Sequence, residues 1–270
     1  MQQPVLLSAE TVAIPDGSGH APHSIRTWRF ELYDEIGSTS DLCKERAESG
    51  EPEGLAVLAL KQTKGRGSRG RQWSDPGDSL ALSVLLRPDP QADVLPALWP
   101  FLFALAFRDG LVSSCPGAED LLKLKWPNDI LLHGRKLAGL LIERGGSDCG
   151  SWLVAGLGAN LVRAPRIEGR DLAALRECGS IPDRDVVARN ILSALTHWLA
   201  VMAEKGFAPI RSAWIRHALA EGTRLVAQSG NTYIEGEFAG IDEVGALILR
   251  TADGPKRIAT AEVFLMSGRE

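Results

Sequence analysis

The segment KQTKGRGSRGRQW, residues 61–73, concentrates the cationic side chains of this 270-residue chain. Lys61, Lys64, Arg66, Arg69 and Arg71 stand there without one carboxylate, although the chain carries 30 Lys and Arg against 34 Asp and Glu, a formal net charge of −4. Gly65, Gly67 and Gly70 separate the cations. Glycines let a backbone close around an anion, and guanidinium forks hydrogen-bond phosphate oxygens in pairs, so the segment reads as a loop that grips phosphate. Its glycines also spell G-x-G-x-x-G. A dinucleotide-binding turn, however, opens a helix at once, and here Gln72, Ser74, Asp75, Pro76 and Gly77 follow. The Rossmann reading fails, and no G-x-x-x-x-G-K-[ST] run offers a P-loop instead.

Two further segments carry chemistry. In KWPNDILLHGRKLAGLLIE, residues 125–143, Lys136 begins a strand that continues as Leu137-Ala138-Gly139-Leu140-Leu141. A cation at the mouth of an apolar pocket is poorly screened: at an effective dielectric near 20, an anion about 4 Å away is held by roughly 4 kcal/mol. Expressed only in a transition state, that is nearly a thousandfold in rate. A lone lysine at a strand end is also an ordinary surface residue. In AGLGANL, residues 155–161, Gly156 and Gly158 suit close approach of a ligand to a strand, and Asn160 follows them. Asn160 there reads a nucleotide or a metal-bridged phosphate, or simply ends a strand.

Something must position these residues. Ser38 or Ser40 can cap a first helix running to Gly50. Residues 55–60 and 80–86 read as buried strands on either side of the polar run 61–78. Leu95, Leu98, Leu102 and Leu105 repeat with the period of a buried helix over 95–112. Alternation at Leu122, Leu124 and Trp126, then turns at Pro127-Asn128-Asp129 and His133-Gly134-Arg135, predict a meander with strands at 122–126, 130–132, 137–143 and 152–161. Residues 183–217 read as one helical stretch, with Val187, Ile191, Leu195, Trp198 and Met202 on one face. From Gly222 onward, short strands punctuated by Ser229-Gly230-Asn231, Glu243-Val244-Gly245 and Asp253-Gly254-Pro255 indicate a small β-barrel. The expected architecture is α+β, a mixed or antiparallel sheet packed with helices, followed by a small C-terminal β module. The expected segments are an extended lead-in at 1–25, a catalytic domain at 26–221 and the β module at 222–270.

Composition removes several function classes. With 44% hydrophobic and 24% charged residues the chain is neither disordered nor fibrous. The longest apolar region is broken by Pro100, Arg108 and Asp109, so no bilayer-spanning helix is expected. Cys43, Cys115, Cys149 and Cys178 form no CxxC pair, and five His make no ligand cluster, which argues against a disulfide framework or zinc site. The N-terminus does not read as a secretory signal, and the expected location is cytoplasmic.

Taken together, Ser38-Thr39, Gln62 with the GRGSRGRQW loop, KWPND, RKLAGLL and GLGAN occur in the order and spacing of one family. Over about residues 30–270 the chain resembles the biotin–protein ligases, enzymes that attach biotin to carboxylase carrier domains. The resemblance implies a catalytic domain of the class II synthetase-like biotin and lipoate ligase fold with an SH3-like C-terminal barrel. It implies two steps: biotin and ATP give biotinyl-5′-AMP and pyrophosphate, and the adenylate then acylates a lysine of the biotin carboxyl carrier protein of acetyl-CoA carboxylase.

Carried over residue by residue, the resemblance gives Ser38, Thr39 and Gln62 to the ureido ring, with Gly65 and Arg66 closing over it. Trp73, Gly139, Leu141 and Gly156 line the channel for the ring and valeryl chain. Lys136 bridges the biotin carboxylate and the α-phosphate and, with Arg66 and Arg69, is a catalytic residue. Arg69, Arg71, Trp73, Asn128, Lys136 and Asn160 bind the nucleotide. No residue is assigned directly to metal, Mg²⁺ arriving with the ATP phosphates. The loop at 64–78 is expected to order over the adenylate and exclude water, since hydrolysis wastes the intermediate.

The chain departs from the pattern in three places. Ser68 stands where many members carry arginine, which predicts a weaker hold on the adenylate, partly offset by Arg69 and Lys64. Ser40 stands where asparagine often follows Ser-Thr. Residues 1–25 are too short for a winged helix-turn-helix, so specific DNA binding is not expected. A homodimer is compatible with the resemblance. The other readings are a lipoate-type ligase, whose Arg-Arg–Gly-Gly-Gly pattern is missing here, and a non-catalytic biotin- or nucleotide-binding protein of the same fold.

Overall fold

The computed structural model describes residues 5–13, 27–89 and 94–266. Two sheets organise them. The first has eight strands: β1 (Leu6–Ala13), β2 (Thr27–Ile36), β3 (Leu55–Gln62), β4 (Ser79–Leu86), β5 (Leu122–Lys125), β6 (Asp129–Leu132), β7 (Arg135–Ser147) and β8 (Gly150–Asn160). Their order across the sheet is β1-β2-β3-β4-β8-β7-β6-β5. β2 and β3 are parallel, and every other pair in this sheet is antiparallel. Parallel neighbours need a crossover, and α1 (Thr39–Glu48) supplies it.

Both faces of the sheet are covered. α1 closes one, where Cys43 and Ala47 join Tyr33, Val57, Leu85 and Val154 in a small core. On the other lie α2 (Trp99–Ser114), α3 (Arg184–Lys205) and α4 (Phe207–His217), in the main core with Trp28, Phe30, Leu82 and Leu140. This explains why all eight residues of β4 are buried: a strand covered on both sides needs no polar alternation.

One expectation needs correction. The stretch 183–217 is two helices, because Gly206 at φ 68° ends α3 in a conformation that side chains disfavour. By length and composition alone α3 is long and apolar enough to cross a membrane. Its Val187, Ile191, Leu192 and Leu195 are instead fully buried in the core. Within the extended lead-in, residues 6–13 form β1, paired with β2; residues 1–4 and 14–25 lie outside the described residues.

The C-terminal module is an antiparallel sheet of five strands: β9 (Arg224–Ser229), β10 (Thr232–Ile241), β11 (Leu247–Thr251), β12 (Gly254–Ile258) and β13 (Glu262–Leu265). Its core is continuous with the main one. Trp214 of α4 packs edge-on against both Phe101 of α2 and Phe238 of β10, and the Trp126 indole donates to the Gly245 carbonyl at 2.9 Å.

Candidate active site

The turn from β2 into α1 builds one end of the site. Ser38 is the helix N-cap, its hydroxyl accepting from Asp41 N at 3.3 Å, as an orphan amide of a first turn requires. The next residue, Thr39, gives both its N–H (2.8 Å) and its hydroxyl (3.1 Å) to Gln62 Oε1 at the end of β3. A backbone N–H can only donate, so the Gln62 amide is fixed with its oxygen on Thr39 and its NH₂ on the other side, near Gly65.

Glycines make the room. Register places Gly156 of β8 between Ser83 of β4 and Leu141 of β7. A Cβ on Gly156 would stand 2.6 Å from Ser40 Oγ, and one on Gly158 would meet the Trp73 indole at 3.0 Å. At Gly139 a Cβ would crowd the Lys136 ammonium at 3.2 Å, and at Gly65 it would crowd Gln62 Nε2 at 3.1 Å. Each absent side chain is occupied space that a neighbour already uses.

The result is two joined cavities. A narrow one of about 50 Å³ is lined by Ser38, Thr39, Gln62, Arg66, Trp73, Lys136, Gly139, Leu141 and Gly156, which is every residue expected on the biotin side except Gly65. Gly65 sits behind it, under Gln62 and Trp73. The second, of about 1260 Å³, takes in Arg69, Arg71, Trp73, Asn128, Lys136 and Asn160, the full set expected on the nucleotide side, and runs out to the C-terminal module. Trp73, Asn128 and Lys136 line both.

Lys136 stands at that junction, clamped through its backbone. Its N–H donates to the Asp171 carbonyl and its own carbonyl accepts from Ala173, both at 2.9 Å. The side chain of Asn160 grips the same segment, donating to Ala173 O at 3.0 Å. Asn160 Oδ1 is buried without a protein partner, and so is Trp73 Nε1: an acceptor and a donor left over in the lining of the larger cavity. Asn128 is used structurally, its amide donating at 2.7 Å from the β5–β6 turn to Leu140 O of β7.

Electrostatics here involve residues that sequence reasoning passed over. The Lys136 ammonium is paired with Asp129, whose other oxygen meets Lys125 at 2.9 Å. Burial pushes the Asp129 carboxyl up, but Lys136 and Lys125 outweigh it and hold its pKa below the usual carboxylate range. Lys125 also donates to the Val263 carbonyl of β13 at 2.9 Å, tying the C-terminal module to the same carboxylate.

The loop arginines are likewise held by acids. Arg66 is paired with Asp41 and, at 3.2 Å, with Glu143. Lys44 completes that square, 2.9 Å from Asp41 and 3.0 Å from Glu143. Arg69 and Arg71 both reach Glu262 of the C-terminal module, Arg69 at 2.9 Å. Arg69 adopts φ 60°, ψ 34°, a left-handed conformation that costs about 1–2 kcal/mol outside glycine. The loop keeps its shape through Lys64 N to Gly37 O (2.7 Å), Trp73 N to Gly65 O (3.0 Å) and Gly67 N to Arg71 O (2.7 Å).

Of these partners, Asp129 was visible as part of KWPND. Asp41, Ser83, Glu143 and Glu262 had no local signal, since each meets the site from a distant element.

Comparison with known proteins agrees with this geometry. Residues 32–160 match the model of the Biotin/lipoate A/B protein ligase family, and residues 224–266 match that of the Biotin protein ligase C terminal domain. The chain is 40% identical over 215 residues to a biotin--[acetyl-CoA-carboxylase] ligase of Paracoccus denitrificans, covering 77% of this chain and 89% of that one. It is 34% identical over 240 residues to the bifunctional ligase/repressor BirA of Bacillus subtilis, with 86% and 73% covered. Among solved structures, it resembles the biotin protein ligase of Aquifex aeolicus in complex with biotin and ATP, at a TM-score of 0.75 and 26% identity over 88% of this chain and 99% of that one. Fold, site glycines and these relatives together establish that the chain belongs to the biotin/lipoate A/B protein ligase family and carries the biotin protein ligase C-terminal domain.

Proposed function

We propose that the chain activates biotin with ATP and transfers it, through biotinyl-5′-AMP, to a lysine of a biotin carboxyl carrier protein. It is an ATP-dependent, AMP-forming biotin ligase of the kind its Paracoccus relative is named for. One observation carries the reading: Lys136 stands where a narrow cavity with a polar floor meets a cavity large enough for a nucleotide. The segments expected from the resemblance, a catalytic domain at 26–221 and a β module at 222–270, remain our division of the chain.

In the first step a biotin carboxylate oxygen attacks the α-phosphorus of ATP, a P–O bond forms, and pyrophosphate leaves with the electrons of the broken P–O bond. Negative charge accumulates between the two reactants, and a positioned cation offsets it. Lys136 is that cation, moving from Asp129 to bridge carboxylate and α-phosphate. Ser38, Thr39 and Gln62 hold the ureido ring, and Gly65 with Arg66 closes over it; Trp73, Gly139, Leu141 and Gly156 line the apolar path. Arg69 and Arg71 exchange Glu262 for phosphate oxygens, and the free indole N–H of Trp73 serves the nucleotide. In the second step the carrier lysine, as a neutral amine, attacks the biotinyl carbonyl carbon; a C–N bond forms, AMP leaves with the electrons of the broken C–O bond, and the nitrogen releases one proton to solvent.

Mg²⁺ is bound largely by substrate phosphates and water, with few protein ligands. Among the described residues no group of three or more His, Cys, Asp or Glu forms a metal cage, and the unpartnered Oδ1 of Asn160 suits an ion that arrives with ATP. There the ion would neutralise polyphosphate charge, and Asn160 would help to hold it.

The net charge of −4 favours a protein carrier over nucleic acid as the macromolecular partner and fits a cytoplasmic location, where ATP is available. Titration with duplex DNA at low salt tests the first point, and sedimentation tests for a homodimer. The activity itself is tested with [α-³²P]ATP, biotin and a carrier domain. Wild type should form biotinyl-AMP and pass biotin to the carrier, and Lys136→Ala should slow adenylate formation about a thousandfold. Tight biotin binding by wild type without adenylate would overturn the ligase reading in favour of a binding protein.

A further inference from the structure

From Thr39 a chain of hydroxyls runs beneath the narrow cavity to Ser83 and Ser40, two residues that the mechanism above does not use. Ser83, fully buried on β4, lies 2.7 Å from Thr39 Oγ1 and 3.0 Å from Ser40 Oγ. Their proton order follows from bonding capacity. A hydroxyl has one hydrogen and two lone pairs, and Gln62 Oε1 has no hydrogen at all. Thr39 therefore spends its hydrogen on Gln62 Oε1 at 3.1 Å. Ser83 must then donate to Thr39, and Ser40 to Ser83. The opposite order breaks the contact between Thr39 and Gln62, so only one direction makes all three bonds.

That order fixes what the cavity presents. Gln62 Oε1 already accepts from the N–H and the hydroxyl of Thr39, so Gln62, which lines the cavity, has its NH₂ hydrogens left to give. Ser40, its hydrogen turned to Ser83, shows only lone pairs. Ser40 Oγ occupies the space left by the missing side chain of Gly156, and Ser40 lines the cavity. Donors and an acceptor in the lining of one cavity suit a cyclic urea, whose carbonyl needs the first and whose N–H needs the second.

We infer that Ser40 accepts a hydrogen bond from a ureido N–H of biotin, with Ser83 as the positioning residue that turns the Ser40 hydrogen away from the ligand. The inference rests on the biotin reading above. It gives a direct binding role to a position where the sequence departs from the usual asparagine, and a role to a serine with no motif around it.

Calorimetric titration of wild type, Ser40→Ala, Ser83→Ala and the double variant with biotin tests it, alongside the two biotin derivatives methylated on one or the other ureido nitrogen. Ser40→Ala should bind biotin about tenfold more weakly, as loss of one neutral hydrogen bond implies. Ser83→Ala should weaken binding severalfold, and the double variant should be within about twofold of Ser40→Ala, because Ser83 acts through Ser40. The losses should fall on the KM for biotin rather than on kcat. One methylated derivative should bind wild type poorly yet lose nothing further on Ser40→Ala. Binding of biotin to Ser40→Ala within about twofold of wild type, or additive losses in the double variant, would overturn the assignment. Failure of wild type to bind biotin would overturn the biotin reading itself. Should Ser83→Ala not fold, the Ser40→Ala arm with the methylated derivatives decides alone.

Discussion

The two ends of the site are built in opposite ways. Around the narrow cavity, Ser38, Thr39, Ser40 and Ser83 are all buried, and they bond to one another, to the helix amide and to Gln62. Around the large cavity the cations are half-exposed and sit on acids: Arg69 and Arg71 on Glu262, Lys136 on Asp129. The first end is preorganised, so a ligand there loses little to reorientation. At the second end, carboxylates occupy the cations that phosphates would use, and a nucleotide must displace them. A neutral, rigid ring and a highly charged, flexible chain call for these two designs: buried hydroxyls cannot satisfy a polyphosphate, and several cations gathered around one cavity repel one another unless acids hold them before ATP arrives.

Breaking the preorganised end should give the larger effects. Gly156→Ala places a methyl 2.6 Å from Ser40 Oγ, and biotin affinity should fall about 10- to 100-fold, or roughly 1.4–3 kcal/mol, with ATP binding little changed. Gly158→Ala, which crowds the Trp73 ring at 3.0 Å, should divide the loss between the two substrates, because Trp73 lines both cavities. Calorimetry with each substrate separates the two, and equal losses from both variants would erase the distinction between the ends.

Next comes the carboxylate that joins them. Asp129→Asn leaves Lys136 and Lys125 without their counter-charge and should destabilise the fold by about 1–3 kcal/mol, less than a fully buried pair because the Lys136 side chain is 39% exposed. The pH sign is fixed by the lowered pKa of Asp129. Its carboxylate contributes fully above the unfolded value, near 4, and the contribution is lost as pH falls through the lower folded value. Wild type should therefore lose more stability than Asp129→Asn between about pH 5 and the acid limit of folding, measured by denaturant unfolding.

Smaller effects are expected in the loop. Ser68→Arg restores the cation that many family members carry, and release of biotinyl-AMP should slow by several-fold, up to about tenfold for one charge-assisted bond. Unchanged release would mean that Arg69 and Lys64 already suffice. Smallest is Glu262→Gln. Its bonds to Arg69 and Arg71 are exposed, so global stability should change by less than about 1 kcal/mol. Tryptic cleavage at Arg69 and Arg71 should nevertheless quicken, since the left-handed turn at Arg69 loses its tether.

Much of this was legible without coordinates. Period and punctuation located α1, α2 and the meander of the first sheet because those signals are local: a capping Ser38, an apolar repeat, a Pro-Asn-Asp turn. The site glycines were legible for the same reason, since a glycine inside a strand advertises crowding whatever the crowding atom is. Gly206 misled, because one glycine between two apolar helical stretches does not declare whether it bends a helix or ends it.

The sequence by itself thus determined the inventory: a cationic glycine loop, a strand-start lysine, close-packed strand glycines, a mixed sheet and a small β module. Only the tertiary structure decided how that inventory is held. Glu262 lies 193 positions from Arg69, Glu143 lies 77 from Arg66, and Ser83 lies 43 from Ser40. Side chains so far apart in the chain share no local pattern, and an ion pair or hydroxyl chain between them exists only once strand register and helix packing have brought both ends within about 3 Å of each other.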